Sequence, residues 1–283
     1  MSINILCVGD VVGRPGRCVL AEHLSQFIEQ RQIDLVVCNA ENAAGGSGIT
    51  PQIAKKLQRY GVDVITLGDH VFRKADAVQL LETSDRVVRP ANLLAPAAGK
   101  RWTVVETKSQ RHRVGVLCAL GQMYMGSWDS PWPAVTRALD EMPADVKIRV
   151  VDFHAEASSE KIAMGWFLNG RVSVVFGTHT HIPTADARVL DKGTAYISDV
   201  GMTGPYESVL GRRTDRVLSA LTTSMPAKFD VANGDPRMCG LLASVNPDTG
   251  RAESVERVEI KGRVAEGGAY DEDDGQPRSR GNR

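Results

Sequence analysis

Two histidines lie two positions apart in the sequence FGTHTH, residues 176–181. The β-branched run at residues 172–176, which leads into them, predicts a buried strand. Open α/β sheets place their chemistry just beyond the carboxyl ends of such strands. In an extended segment, side chains two residues apart point the same way, so His179 and His181 would aim both imidazoles at one point. The alternative is an exposed turn in which the two histidines have no role.

Strands, loops and helices alternate at the start of the chain. Apolar runs at residues 3–8, 35–38 and 62–67 predict buried strands, each followed by a loop and a helix. This alternation is typical of parallel βαβ units and therefore of an α/β fold. Later strands are predicted at residues 102–106, 113–119, 148–153, 195–197, 228–231, 238–245 and 253–260, the last two forming a hairpin.

The chain shows no repeat and no internal linker, so one domain is expected over residues 1–261. The tail at residues 262–283 is rich in Gly, Asp, Glu, Arg and Pro and is expected to be disordered.

The composition excludes several classes of protein. The 283 residues include 34 Lys plus Arg and 34 Asp plus Glu, so the balance gives no case for a nucleic-acid or membrane partner. No apolar run approaches the roughly 18 residues of a membrane span. The first residues also lack the pattern of a secretory signal, so a cytoplasmic protein is expected. Cys7, Cys38 and Cys118 fall within predicted strands, which indicates buried free thiols.

Oxygen and nitrogen ligands follow the ends of the predicted strands. They are Asp10, Glu41, Asn42, Asp69, His70, His154, His179 and His181. Taken singly, several have an ordinary alternative. Asp10 could cap a helix, Glu41 and Asn42 could belong to a turn, and His154 could be a buried, hydrogen-bonded histidine. Together they predict a metal site, because separate strand ends seldom all offer ligands by accident.

The predicted ligands are all oxygen or nitrogen donors, and none is a thiolate. Such a set indicates a site for Fe, Mn or Zn rather than a soft thiolate site. Eight candidates exceed the needs of one ion, so two ions sharing a bridging carboxylate, Glu41 or Asp69, are expected. Such ions lie roughly 3.5–4 Å apart, clamp a phosphoryl group and generate hydroxide from water. The pattern therefore predicts phosphoester hydrolysis, in which charge stabilisation matters more than a protein nucleophile.

Seven short motifs resemble, in order and spacing, the YmdB-like branch of the calcineurin-type metallophosphoesterases. They are GDVVG at residues 9–13, NAENAA at 39–44, GDH at 68–70, RPAN at 89–92, DFHAE at 152–156, GTHTH at 177–181 and DVGMTGP at 199–205. The resemblance implies a four-layer α/β/β/α sandwich of two mixed β-sheets. It also implies a bacterial, cytoplasmic phosphodiesterase that hydrolyses 2′,3′-cyclic nucleotides, such as 2′,3′-cAMP, at a dinuclear centre in which iron is the expected metal.

The resemblance assigns each ligand by position. The ligands of one ion would be Asp10, Glu41, Asn42 and His181. Those of the other would be Asp69, His154 and His179, with Glu41 bridging the two ions. His70 would then protonate the leaving oxygen after a metal-bound hydroxide attacks phosphorus in line.

Asp69 departs from the resemblance, because the family usually has Gly-Asn-His where this chain has Gly68, Asp69 and His70. An ionised aspartate still ligates, but it adds a negative charge and offers no hydrogen-bond donor to the phosphate. We expect tighter metal retention and a weaker attraction for the anionic substrate.

Arg89 and Asn92 are expected to contact the substrate, together with the loops at residues 45–48 and 123–132. A surface salt bridge is the alternative role for Arg89. The rival functions are a broader phosphomonoesterase or nuclease on the same centre, and a regulatory protein that binds metal and nucleotide with incidental hydrolysis. Apolar residues in the 123–132 loop also favour a homo-oligomer.

Overall fold

The computed structural model describes residues 2–109, 111–264 and 272–274. These residues form thirteen strands and six α-helices. The strands are β1 (Ile3–Val8), β2 (Leu35–Asn39), β3 (Val64–Thr66), β4 (Val87–Val88), β5 (Trp102–Glu106), β6 (Arg113–Leu120), β7 (Ile148–His154), β8 (Val174–Thr178), β9 (Arg188–Val189), β10 (Ala195–Ile197), β11 (Gly204–Glu207), β12 (Gly234–Val245) and β13 (Ala252–Lys261). The helices are α1 (Gly13–Arg31), α2 (Pro51–Tyr60), α3 (Ala77–Thr83), α4 (Pro131–Glu141), α5 (Ser158–Leu168) and α6 (Thr214–Thr223).

The strands make two mixed sheets. The first has the order β11-β12-β1-β2-β3-β4, with β13 also paired to β12, and strands β1 to β4 run parallel. The second has the order β5-β6-β7-β8-β10-β9, in which β6, β7, β8 and β10 run parallel. In each sheet, the carboxyl ends of the parallel strands therefore lie at one edge, as the βαβ pattern predicts.

The two sheets face each other across an apolar interface. Ile5 of β1 and Val150 of β7 belong to this inner cluster. Their chain neighbours point away from it, because successive strand residues alternate between faces. Leu6 belongs to a cluster that includes side chains of α1 and α2, and Val151 to one that includes side chains of α4 and α5. The order of layers is thus helix, sheet, sheet, helix, which confirms the predicted four-layer α/β/β/α sandwich.

Thr50 and Pro51 predict the start of helix α2, because Thr is a common N-cap and Pro suits the first helical position, and the structure confirms this. The Thr50 hydroxyl accepts a hydrogen bond from the Ile53 N–H at 3.3 Å, and Pro51 occupies the first turn. This cap satisfies one of the donors that a helix start leaves unpaired. Gly61, with φ 117°, ends the helix in a conformation that favours glycine.

The prediction of a strand at residues 228–231 is wrong. Val231 makes a single bridge to Arg212, and no ladder extends from it. The segment follows α6, a helix that the sequence does not predict. Only Val217 of α6 is buried, whereas Leu218 and Leu221 are exposed, so little of the apolar side of this helix packs against the core.

Most of the tail predicted to be disordered, residues 265–271 and 275–283, lies outside the described residues. Within it, Glu272–Asp274 form a short 3-10 turn. There the Asp274 carboxylate accepts a hydrogen bond from the buried Arg17 guanidinium at 2.9 Å. The domain boundary at residue 261 and the disorder of the tail stay predictions. Across the described part of the chain, no helix combines the length and apolarity needed to cross a membrane.

Candidate metal centre

The structure brings four of the predicted ligands together. One side-chain atom each of Glu41, Asp69, His154 and His179 lies within 4.8 Å of the other three. Glu41 and Asp69 follow strands of the first sheet, whereas His154 and His179 lie at strand ends of the second. The cluster therefore forms where the carboxyl edges of both sheets meet.

The other three predicted ligands lie around this cluster. Asp10 Oδ2 accepts the backbone N–H of His179 at 3.1 Å, and Asp10 Oδ1 is 3.7 Å from His154 Nδ1. Asn42 Oδ1 lies 3.2 Å from His181 Nε2. All seven predicted ligands thus occupy one region, although their role as metal ligands stays a prediction.

The two histidines of residues 176–181 do not lie on an extended segment, so that part of the sequence argument is wrong. Strand β8 ends at Thr178, and His179 and His181 have φ values of 93° and 66°. Left-handed backbone is unfavourable for residues with a Cβ atom. The turn sends the two imidazoles to different places: His179 lies beside Asp69, and His181 lies beside Asn42.

A buried ion pair holds this turn in place. Lys161 Nζ donates to the backbone carbonyl of Thr178 at 2.7 Å and to the Asp199 carboxylate at 2.5 Å. Asp199 also accepts the backbone N–H of Thr180 at 3.2 Å and its hydroxyl at 2.7 Å. These contacts fix the backbone on both sides of His179, which explains how a strained conformation persists.

Each imidazole has a partner on the ring nitrogen that faces away from the cluster. His179 Nε2 lies 3.3 Å from the Glu156 carboxylate, and His181 Nδ1 lies 3.1 Å from the Leu210 carbonyl. His154 Nδ1 lies 2.8 Å from the Thr178 hydroxyl. Such outer partners fix the ring orientation of metal-binding histidines. They leave His154 Nε2, His179 Nδ1 and His181 Nε2 directed at the cluster.

The electrostatics of the cluster suit a cation. Burial disfavours a charged His154, but the carboxylates of Glu41 and Asp69 outweigh this effect and raise the pKa of His154 well above its usual value. Asp10 Oδ1 is buried and accepts no hydrogen bond from any described residue. A buried acceptor without a donor is costly, and a metal ion would supply the missing partner. The donor set therefore fits a metal ion.

His70 lies at the rim of the cluster, with its side chain 25% exposed. Its backbone N–H donates to Glu41 Oε2 at 2.9 Å, and its Nδ1 lies 2.8 Å from Asn42 Nδ2. The ring is thus held beside the ligands while part of it remains open to an approaching molecule.

Arg89 and Asn92 line a separate cavity of about 480 Å³, which none of the seven predicted ligands lines. The Asn92 amide bonds the backbone of Leu120 through both its oxygen and its nitrogen, each at 2.8 Å. Arg89 is buried and donates to the carbonyl of Pro90 at 2.9 Å, so it is not in a surface salt bridge. Substrate contact by these two residues stays a prediction.

The sequence argument missed several polar residues next to the cluster. They are Asn39, Thr66, Asp152, Glu156 and Thr178. A polar side chain within a mostly apolar strand, such as Asp152 in β7, could have identified them. Buried polar groups need hydrogen-bond partners, so such a residue indicates a network in the core.

Known proteins resemble this chain in sequence and in fold. A family model described as YmdB-like protein matches residues 6–258. A 2′,3′-cyclic-nucleotide 2′-phosphodiesterase of Bacillus subtilis is 38% identical over 258 residues, covering 91% of this chain and 97% of the relative. The crystal structure of a novel phosphatase from Mycoplasma pneumoniae matches with a TM-score of 0.85 and 32% identity, over 92% of this chain and 94% of that one.

A 5′-nucleotidase from Candida albicans matches with a TM-score of 0.55 and 15% identity, over 92% of this chain and 51% of that one. This likeness concerns the fold alone and agrees with the predicted metallophosphoesterase fold. The matched family model spans all the strand ends that meet at the centre.

Proposed function

Because this chain belongs to the YmdB-like protein family, we propose that it is a phosphodiesterase that hydrolyses 2′,3′-cyclic nucleotides at a centre of two metal ions. The Bacillus subtilis relative is named for this reaction and is similar over nearly its whole length. The observation that carries the proposal is the convergence of Glu41, Asp69, His154 and His179 from two sheets within 4.8 Å.

Two ions explain why seven ligands gather in one place. Glu41 is the candidate bridging ligand, because it lies between the two predicted ligand sets. Its Oε1 is 3.3 Å from His154 Nε2, which belongs to one set, and its chain neighbour Asn42 lies beside His181 in the other. Asp10, Glu41 and Asp69 would carry three negative charges against the four positive charges of two dications. The remaining positive charge would attract a phosphodiester anion. Bound ions would activate water and neutralise charge on the phosphoryl group.

His70 supplies the proton in this proposal. The Asn42 amide lies 2.8 Å from His70 Nδ1, which leaves Nε2 for the substrate. In its protonated form the ring would give the Nε2 proton to the departing ribose oxygen, which the name of the relative identifies as the 2′ oxygen, and would be left neutral. The expected product is therefore a nucleoside 3′-phosphate. Asn42 serves to orient the ring, and Glu41 holds its backbone.

The test combines metal analysis with a panel of substrates. Protein purified without added metal should contain about two ions per chain, with iron foremost. It should hydrolyse 2′,3′-cAMP to 3′-AMP faster than it hydrolyses 3′,5′-cAMP, bis-p-nitrophenyl phosphate or p-nitrophenyl phosphate. Removal of the ions by a chelator should abolish turnover, and added Fe, Mn or Zn should restore it.

In the same assay, His70→Gln should lower kcat about 10²–10⁴-fold without loss of metal, as expected for a general acid. His112→Gln, in the loop between β5 and β6, is the matched control and should behave as the wild type. The proposal fails if the metal-loaded protein leaves 2′,3′-cAMP intact. Faster turnover of p-nitrophenyl phosphate would favour a phosphomonoesterase, the activity to which the Mycoplasma pneumoniae structure's description points.

A further inference from the structure

A buried carboxylate outside the predicted ligand set joins the two sheets next to the metal centre. Asp152 lies on β7, two residues before His154, and is fully buried. It accepts hydrogen bonds from Asn39 Nδ2 at 2.9 Å, Thr66 Oγ1 at 2.5 Å and Thr178 Oγ1 at 2.7 Å. The Asn39 amide nitrogen can only donate, and an ionised carboxylate satisfies all three contacts at once.

The Thr178 hydroxyl connects this carboxylate to His154. A hydroxyl has one proton to donate, and Thr178 gives it to Asp152 Oδ1. At its 2.8 Å contact with His154 Nδ1, the same oxygen must therefore accept. The Asn39 amide nitrogen is farther from Nδ1, at 3.4 Å, and its shorter contact is to Asp152. His154 thus carries a proton on Nδ1.

This proton position decides what the other nitrogen of His154 can do. In the neutral ring, Nε2 then keeps its lone pair, which is the form that binds a metal ion. Nε2 lies 3.2 Å from Asp69 Oδ1 and 3.0 Å from His179 Nδ1, inside the cluster. The opposite tautomer would turn an N–H towards the ions.

The same carboxylate also acts on Glu41. The Asn39 amide nitrogen faces Asp152, so the amide oxygen of Asn39 faces away from Asp152. This oxygen accepts a hydrogen bond from the Glu41 backbone N–H at 3.1 Å. Asp152 therefore fixes the orientation of an amide on the first sheet and of a hydroxyl on the second. The amide thereby holds the backbone of Glu41, and the hydroxyl contacts the ring of His154.

We propose that Asp152 and Thr178 are positioning residues for the metal centre: Asp152 orients the Thr178 hydroxyl, which sets the metal-binding tautomer of His154. This inference rests on the proposed function, because it assumes that the cluster holds metal. The competing explanation is that the network only ties the two sheets together. Thr66 separates the two explanations, since its hydroxyl donates to the same carboxylate but contacts no predicted ligand.

The experiment measures Zn²⁺ binding to the full-length, metal-stripped protein by calorimetry. Thr178→Val keeps the shape of the side chain but removes the hydroxyl, and it should weaken Zn²⁺ binding about 10–100-fold. Thr178→Ser, which restores the hydroxyl, and Thr66→Val, the matched control, should bind Zn²⁺ nearly as the wild type does. In the Zn²⁺-loaded wild type, long-range ¹H–¹⁵N spectra should place the His154 proton on Nδ1.

Three outcomes would overturn the inference. These are wild-type affinity in Thr178→Val, an equal loss of affinity in Thr66→Val, and a proton on Nε2 of wild-type His154. The spectrum of the wild type decides the matter even if Thr178→Val does not fold. A wild type that binds no Zn²⁺ would overturn the proposed metal centre as well, whereas the three outcomes above leave that centre standing.

Discussion

At the scale of single residues, Asp69 distinguishes this centre from the family pattern that it resembles. Its Oδ1 lies 3.2 Å from His154 Nε2 and 3.5 Å from His179 Nδ1. Burial favours the neutral acid, but the neighbouring imidazoles of His154, His179 and His70 outweigh this effect and lower the pKa of Asp69. Asp69 therefore brings a full negative charge into the cluster, where an asparagine would bring none.

We expect Asp69→Asn to bind metal at least about tenfold more weakly, because a ligand charge is lost. Its kcat/KM on a cyclic nucleotide should rise several-fold at saturating metal, since the centre becomes more positive towards an anionic substrate. Calorimetry and steady-state kinetics measure the two effects. Asp248→Asn, in an exposed turn, is the control for a general change in net charge. An unchanged or lower kcat/KM would contradict the charge argument.

The clustering of the candidate ligands could be predicted from the sequence, because Glu41 and Asp69 lie two and three residues after apolar strands and His154 ends one. Parallel strands bring such ends to one edge whatever the details of packing. Thr66 and Thr178 could not be recognised in this way. Threonine is common in strands for its β-branched shape alone, so its presence does not reveal that its hydroxyl donates to Asp152.

At the scale of elements, the turn after β8 depends on contacts from outside itself. His179 and His181 both adopt left-handed backbone, which costs of order 1–3 kcal/mol for each residue. Lys161 on α5 and Asp199 after β10 hold the turn, and both side chains are almost fully buried. The position of the two imidazoles is thus secured by a helix and a strand end rather than by local preference.

Asp199→Asn should lower the free energy of unfolding by about 3–5 kcal/mol, since it leaves the buried Lys161 charge without its counter-ion. Denaturant unfolding of the metal-free protein measures this change apart from any effect of metal. The exposed Arg213–Asp215 pair supplies the control, because Asp215→Asn should leave the free energy of unfolding nearly unchanged. Similar losses in the two variants would show that the buried pair does not stabilise the turn.

The elements that the sequence predicted well carry a clear local signal, such as the apolar run of β1 and the Thr50–Pro51 start of α2. The left-handed turn was not predicted, because the sequence THTH contains no glycine or asparagine to mark it. Helix α6 was missed for a related reason. Its apolar residues are mostly exposed, so no packing against a core constrains their pattern.

At the scale of the whole molecule, the three large apolar clusters leave little of the interior accessible. Cys7, Cys38, Cys118 and Cys239 are buried, and only Cys18 is partly exposed. Burial raises the pKa of Cys239 to about 11 and that of Cys7 and Cys118 well above the usual value. This confirms the buried thiols predicted at Cys7, Cys38 and Cys118.

We therefore expect iodoacetamide to modify the native protein at Cys18 alone. Alkylation needs the thiolate, and a thiol with a pKa of about 11 is only about one per cent ionised at pH 9. Raising the pH from neutrality to about 9 should thus add no second label to the native protein. Intact-mass spectrometry counts the adducts, and denaturant should raise the count to five. Rapid labelling of Cys239 at pH 9 would contradict the packing described here.

The arrangement of the sheets could not be derived from local patterns. Strand β1 pairs with β12, and Ile3 lies opposite Val245, so this pairing joins distant parts of the chain. Periodicity identifies a strand but says nothing about its neighbour, and only the family resemblance supplied the four-layer sandwich. The expected homo-oligomer stays a prediction, although Met123 and Tyr124 of the loop that suggested it are exposed.

The order of the strands along the chain also determines the order in which the residues of the cluster are translated. Asp10, Glu41 and Asp69 leave the ribosome first, His154 and His179 follow much later, and β12, which covers the open edge of β1, emerges near the end. A growing chain thus carries the carboxylates of the cluster before it has His154 and His179. The cluster is therefore complete only after most of the chain has been translated.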